Sequence, residues 1–244
     1  MTTTVAIIGA SGRMGRLVSD VVDELDGFEV VARIGSADPL DNMLAADVVV
    51  DVTVPAVSQS VVDFAVERGK PVLVGTSGWS NQRIATLARR VEATPGLGVI
   101  VIPNFSLGSV LATAFAATAA RFFDSIEIVE AHHASKVDSP SGTAVRTAEL
   151  IGAARASLGP VIAPHADQRA RGQQVSSVPI HSLRMQGVVA KQDVIFGGTG
   201  ETLTLSHETL SPTSYVAGIR LALQSLPGTE GVVVGLDKLI DLGA

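Results

Sequence analysis

The sequence predicts an α/β protein, a doubly wound parallel sheet accompanied by a second, α+β domain. Three observations carry this. Short runs rich in Val and Ile alternate with stretches of helical spacing along the first part of the chain, glycines cluster directly after the first such run, and beyond Phe105 the alternation gives way to strands punctuated by glycine turns. A chain of 244 residues is long enough for one large domain or two modest ones, and it buries enough surface to need no metal or disulfide staple.

In order, the expected buried strands are Val5 to Ile8, Glu29 to Ile34, Val48 to Val52, Pro71 to Val74 and Val99 to Ile102. Runs this short and this apolar suit a parallel sheet covered on both faces. Between them Arg13 to Leu25, Ala56 to Arg68 and Asn81 to Glu92 repeat apolar residues at three- and four-residue spacing, as helices packed on a sheet do. An alanine-rich helix, Leu107 to Phe122, leads to a strand at Ile126 to Ala131, a polar Gly/Ser/Pro stretch and a helix at Thr143 to Ala156. Gly159 to Ser177 is polar, carries Pro160, Pro164 and Gly172, and predicts a long mobile loop. Val178 to Arg184, Val188 to Phe196 and Glu201 to His207 read as antiparallel strands turning at Gly187 and at Gly197 to Gly200. A helix at Thr213 to Gln224 and a buried-type strand at Gly231 to Val234, returning to the first sheet, complete the chain. The expected domains are residues 1–104 plus 215–244 and residues 105–214.

Composition excludes several functions. Eighteen Lys and Arg against 24 Asp and Glu give a net charge of -6, with no basic block for a nucleic acid to meet. The absence of Cys removes disulfide scaffolds, thiolate metal sites and cysteine nucleophiles, and fits a reducing compartment. No residue between Glu92 and Arg121 is charged, but Pro95, Gly96, Gly98, Pro103 and Gly108 break that span into strand, turn and helix, so no membrane segment is expected. Met1 to Thr4 leads straight into a strand, and a cytoplasmic protein is expected.

Val5 to Ile8 runs into Gly9-Ala10-Ser11-Gly12-Arg13-Met14-Gly15, and an amphipathic helix follows. Glycines there let the backbone turn sharply and approach a pyrophosphate, whose charge rests on the amides and dipole of the helix start. The loop alone is weak; its place in a β-α-β unit makes a Rossmann-like dinucleotide site the better reading than a plain tight turn. The second strand of such a unit usually ends in an acid that accepts from the ribose of NAD, yet Arg33-Ile34-Gly35-Ser36 offers none before Asp38. Arg33, Ser36 or Arg13 then stand as donors to a 2'-phosphate, which leans toward NADPH or dual use; the other reading leaves Arg33 in solvent and lets Asp38 reach the ribose.

Glu130 to Ala144 packs His132, His133, Lys136 and the helix start Ser141-Gly142-Thr143 into one short segment of an acidic chain. Two imidazoles, an ammonium and free helix amides suit a carboxylate ligand and proton transfer near neutral pH. On a strand, adjacent His132 and His133 point to opposite faces, and no third ligand is spaced for a metal, so none is expected. The remaining reading is structural, with the histidines finishing a strand and Pro140 to Thr143 capping a helix.

These residues closely resemble the 4-hydroxy-tetrahydrodipicolinate reductases, formerly dihydrodipicolinate reductases, of bacterial diaminopimelate and lysine synthesis. The resemblance rests on Gly9 to Gly15, Gly75-Thr76-Ser77-Gly78, Pro103-Asn104-Phe105-Ser106 and Glu130 to Ala144, and extends through Arg184 to Gly187 and Phe196 to Glu201. It implies His132 as proton donor or acceptor, Lys136 as the principal proton donor, and His133, Gly142 and Thr143 as holders of the substrate carboxylates. Gly9, Ala10, Ser11, Gly12, Arg13, Met14, Gly75, Thr76 and Ser77 would bind the cofactor, with Ile102, Pro103, Asn104 and Phe105 beside the nicotinamide. The implied reaction is hydride transfer from NAD(P)H to a cyclic unsaturated imine dicarboxylate with loss of water. The resemblance also implies a second domain that binds substrate and forms a homotetramer through its sheet, and a closing loop at Gly159 to Ser177 from which Arg169 or Arg171 reaches the active site. Two positions depart from the family: the missing acid near Gly35, and Ser77 in the usual Gly-Thr-Thr-Gly. A reductase of another imino acid and a dinucleotide-sensing module without turnover are the competing readings.

Overall fold

In a computed structural model that describes residues 2–241, Val5 to Ile8 lie buried in β1 (Thr3–Ile8). β1 has a parallel neighbour on each side, β2 (Phe28–Ile34) and β3 (Val48–Asp51). Beyond β3 come β4 (Val72–Val74), β5 (Gly98–Val101) and β11 (Gly231–Val234), so the sheet runs β11-β5-β4-β3-β1-β2 and all of it is parallel. The chain first steps outward from β1 to β2 and then crosses back to β3. Right-handed crossovers in the two directions place helices on opposite faces of the sheet.

One face of this sheet presents Ala6, Ile8, Val49, Val72, Val74, Val99 and Val101 to Val61, Val62 and Val66 of α2 (Pro55–Glu67) and to Leu87 and Val91 of α3 (Asn81–Glu92). Strand alternation turns Val5, Ile7, Val50, Leu73 and Ile100, all fully buried, to the other face. α1 (Arg13–Asp23) and α6 (Val216–Ser225), which pack on each other, belong there. Between β2 and β3 the chain makes only a short 3-10 turn, Leu40–Ala45, pinned by buried Met43. The expected start of the last helix at Thr213 falls in a further 3-10 turn, Pro212–Tyr215.

This first unit comprises residues up to Phe105 and again from Tyr215; the second is Ser106–Ser214. It starts with α4 (Leu107–Ala119), whose last expected residues tighten into a 3-10 turn, Ala120–Phe122. Its five-stranded sheet runs β10 (Glu201–Thr209), β9 (Ala190–Gly198), β6 (Ser125–His133), β8 (Val178–Met185) and β7 (Gln173–Val175), with β6 in the centre. α4 and α5 (Gly142–Ala154) cover one face. Ala116, Ala144 and Ala148 let the helices approach Ile126, Ile128, Ile180, Val194 and Phe196 closely.

Two expectations are corrected here. β8 (Val178–Met185) pairs parallel with β6, because the connection between them is a crossover through α5; only β9 (Ala190–Gly198) and β10 (Glu201–Thr209) form the expected antiparallel hairpin. Residues 159–177 are tethered rather than a plain loop. Val161 is buried in the core of this unit, its amide donates to Ser177 Oγ at 2.9 Å, and β7 (Gln173–Val175) pairs antiparallel with β8.

Candidate active site

In the first unit the loops after β1, β3, β4 and β5 all leave the carboxyl ends of parallel strands, and the strand order reverses between β1 and β3. A crevice at such a reversal is where open α/β sheets bind ligands. Gly9 turns there with φ +86°, and a Cβ on it would lie 2.7 Å from Val52 O. Gly15 lies under the loop; its Cβ would fall 2.2 Å from Gly9 O. The Gly9 amide donates to Ile34 O at 2.8 Å and the Gly12 amide to Gly9 O at 3.0 Å, which sets the loop between β1 and β2. Gly12 is the N-cap of α1, no side chain caps that end, and the first turn carries no acid. Ala10, Ser11, Arg13 and Met14 surround this end, with Ser11 and Arg13 exposed. Close backbone packing, uncapped amides and no competing carboxylate fit a dinucleotide pyrophosphate.

The loop after β4 completes this half. The Gly75 amide donates to Asp51 O at 2.8 Å, and a Cβ on Gly75 would lie 2.7 Å from the Phe105 ring, so that ring covers the glycine directly. Thr76 is buried with its hydroxyl 3.4 Å from Asp51 O, whereas Ser77 is exposed. Ile102 is buried and its amide donates to Val74 O at 2.8 Å; Pro103 is exposed and Asn104 half-buried. Sequence reasoning missed the brace beneath these loops. The fully buried Asp51 carboxylate accepts from Thr53 N at 3.1 Å, from Thr53 Oγ1 at 2.6 Å and from Ser58 Oγ, and Ser58 Oγ accepts from Trp79 Nε1 at 2.9 Å. The loops after β3 and β4 are thus tied to one side chain. An acid ending a run of valines was the available signal.

At the end of β2, Asp38 Oδ2 accepts from the Gly35 amide at 2.8 Å, and Arg33 lies 3.2 Å from Asp23 Oδ2. A carboxylate and a cation therefore both stand at the strand end.

The second unit gathers the other candidates at the end of β6. Glu130 and His132 project to the helix-covered face, and His133 alternates away from them and is exposed, with Nδ1 2.8 Å from Ser135 Oγ. Glu130 is fully buried. Its Oε1 accepts from the Ser141 amide at 3.1 Å and from Arg184 at 2.9 Å; its Oε2 is 2.9 Å from the same guanidinium and 2.6 Å from His132 Nδ1. Burial opposes the charge on Glu130, but hydrogen bonds from Arg184, Ser182, His132 and the Ser141 amide outweigh it and hold the carboxyl below its ordinary range. Burial also holds the His132 imidazole below its ordinary value, and the nearby Lys136 and Arg184 cations add to this against the pull of Glu130.

Lys136 sits in the turn after β6, its amide donating to His133 O at 3.0 Å and its ammonium 2.7 Å from Asp138 Oδ1. Ser141 caps α5, with Oγ accepting from the Ala144 amide at 3.2 Å. The Gly142 and Thr143 amides belong to the first turn, which no intrahelical carbonyl reaches, and space opens where a Gly142 side chain would be. His132, Lys136 and this helix start are brought together. Arg171 is not: its guanidinium pairs with Glu127, which also accepts from His181 Nε2 at 2.7 Å, on the face of β6 opposite His132. Strand alternation is the reason, since Glu127 and Glu130 are an odd number of residues apart.

His207, with Nε2 3.2 Å from Ser106 Oγ at the N-cap of α4, is likewise held by burial below the ordinary imidazole value of 6.5. When the chain unfolds, His132 and His207 recover ordinary affinities and take up protons that the folded state refuses. Stability therefore falls as pH drops below about 6.5. Thermal denaturation across that window should show a falling Tm, with a smaller fall in His207→Gln.

Among the described residues no group of three or more His, Cys, Asp or Glu is placed to hold a metal, and no helix is long and apolar enough to cross a membrane.

Comparison with known proteins gives a consistent picture. Residues 3–105 match the family described as Dihydrodipicolinate reductase, N-terminus, and residues 108–240 match Dihydrodipicolinate reductase, C-terminus. The chain is 66% identical over 242 residues to the 4-hydroxy-tetrahydrodipicolinate reductase of Clavibacter sepedonicus, covering 99% of this chain and 87% of that one. It is 43% identical over 244 residues to that of Streptomyces griseus subsp. griseus, covering 98% of each. A dipicolinate-bound dihydrodipicolinate reductase from Paenisporosarcina sp. TG-14 is similar with TM-score 0.85 at 29% identity, over 98% of this chain and 100% of that one. An amine dehydrogenase from Mycobacterium smegmatis, at 11% identity and TM-score 0.66 over 99% of this chain and 97% of that one, shares the fold alone. With both halves matched and sequence identity sustained over almost its full length, the chain belongs to the dihydrodipicolinate reductase family.

Proposed function

We propose that this protein reduces 4-hydroxy-tetrahydrodipicolinate to tetrahydrodipicolinate with NAD(P)H, in the synthesis of diaminopimelate and lysine. The observation that carries the reading is the union, in one unit, of an ammonium, an imidazole and the Gly142 and Thr143 amides at a helix start, in a chain whose other unit holds a glycine cradle. When bound, the reduced dinucleotide supplies a hydride to the unsaturated ring. The Gly142 and Thr143 amides, with His133, hold the substrate carboxylates, because a dianion meets the positive end of α5. Lys136, positioned by Asp138, donates the proton that balances the hydride. Gly9 to Met14 and Gly75 to Ser77 hold the dinucleotide, and Ile102 to Phe105 flank its nicotinamide end.

Loss of nicotinamide absorbance with freshly generated substrate tests the reading, and no oxidation of either NADPH or NADH would overturn it. We expect both dinucleotides to be oxidised. Asp38 favours an unphosphorylated ribose, while Arg33 favours a 2'-phosphate and is only loosely committed to exposed Asp23. Asp38→Ala should move the ratio of kcat/KM values several-fold toward NADPH, and Arg33→Ala toward NADH. An unchanged ratio in both variants would remove these residues from cofactor choice.

The face of the second sheet away from its helices leaves Leu183, Met185 and Ile195 exposed, which supports association of copies through this sheet as a homotetramer. The absence of Cys suits a cytoplasmic setting.

A further inference from the structure

We propose that Glu130 and Arg184 form a positioning clamp that fixes His132 as its neutral Nδ1–H tautomer, so that Nε2 presents a lone pair as a hydrogen-bond acceptor and has no proton of its own to supply. The inference rests on the reductase reading for its consequence: proton donation then falls to Lys136.

An ionised carboxylate can only accept hydrogen bonds, so the 2.6 Å contact between Glu130 Oε2 and His132 Nδ1 requires the hydrogen to sit on Nδ1. That hydrogen bond leaves two states for the ring, the Nδ1–H tautomer and the imidazolium. Arg184 decides between them. Its guanidinium grips both oxygens of Glu130 at 2.9 Å, and Glu130 is fully buried beneath the partly exposed Arg184. The charge of Glu130 is thereby matched before the imidazole reaches it, so the carboxylate orients the ring without holding a second positive charge. Two of the charged groups around the ring, Arg184 from β8 and Lys136 from the turn after β6, are cations that disfavour an imidazolium, and the Asp138 carboxylate is committed to Lys136. The clamp is itself rigid. Arg184 also donates to Leu183 O at 2.7 Å and to Asp138 O at 2.6 Å, and the Ser141 amide ties Glu130 to the start of α5. One buried carboxylate therefore sets the angle of the imidazole and the start of the helix whose amides face the substrate.

NMR of the imidazole nitrogens, with the His132 signals assigned by their loss in His132→Asn, reads the tautomer without substrate or turnover. At neutral pH we expect a pyrrole-type Nδ1 and a pyridine-type Nε2. A pyridine-type Nδ1, or two pyrrole-type nitrogens, overturns the proposal even if the enzyme reduces its substrate. Conversely, failure to reduce the substrate leaves the tautomer measurement intact. Arg184→Gln releases the Glu130 charge to the ring, so the His132 titration midpoint should rise; an unchanged midpoint would refute the matching role of Arg184. Glu130→Gln, which presents either an oxygen or an amide to Nδ1, should give mixed tautomers, while Glu130→Asp should restore the Nδ1–H form. If these variants do not fold, the spectrum of the unaltered protein decides alone.

Discussion

Lys136→Ala should lower kcat by about 10² to 10⁴, the usual loss when a general acid is removed, while the dissociation constant of the dinucleotide stays where it was. The split follows from where the groups lie. The Lys136 ammonium belongs to the second unit, in a turn fixed by its own amide on His133 O and by its contact with Asp138. The cradle at Gly9 to Gly15 and Gly75 to Ser77 belongs entirely to the first. Truncation at Lys136 removes no packing from the core of the second unit, so Tm should hardly move. Asp138→Asn tests positioning: the ammonium remains but loses its anchor, and kcat should fall far less than in Lys136→Ala. Stopped assays for turnover and fluorescence titration for cofactor affinity separate these effects. A variant at Lys136 with near-normal kcat would take the proton-donor role from it.

Gly15→Ala should cripple cofactor binding. The added Cβ would stand 2.2 Å from Gly9 O and 2.5 Å from Ala10 Cα. Both are backbone atoms, so no rotamer relieves the clash and the loop must lift off the helix. Overpacking of this kind costs roughly 1–3 kcal/mol, and because the strained loop is the anion cradle, dinucleotide affinity should fall at least about tenfold. Gly12→Ala gives the comparison: its Cβ would meet Gly9 O at 3.2 Å, a contact a small shift absorbs. Calorimetric titration with NADPH and NADH should show a large loss for Gly15→Ala and a small one for Gly12→Ala. Equal losses in both variants would show that any bulk near the loop suffices, and that close packing of helix on loop is not the cause.

Much of this was legible in the sequence because it is local. Val5 to Ile8, the glycines and the helix after them are neighbours in the chain, and so are His132, Lys136 and the start of α5. What escaped depends on distant partners. Arg184 reaches Glu130 across 54 residues and the Trp79 indole reaches Ser58 across 21, and no periodicity encodes either meeting. Glu130 was visible as a residue two positions from His132, yet only the fold shows that it is buried and shared. β7 escaped because a three-residue edge strand of Gln-Gln-Val carries no alternation to read. The pairing of Arg171 with Glu127 was not legible, since a polar segment says nothing about which face of a sheet its side chains reach.

The return of the chain to β11 has a consequence for synthesis. β5 is Gly-Val-Ile-Val, buried throughout, and one of its two edges is closed only by β11, encoded after the whole of the second unit. While the chain emerges from the ribosome, that edge offers unpaired amides and carbonyls on an apolar strand, the type of surface that recruits other strands. The nascent protein should therefore lean on chaperones until its last helix and strand are made, and stop codons after Ser214 should yield aggregates rather than a stable, partly active enzyme.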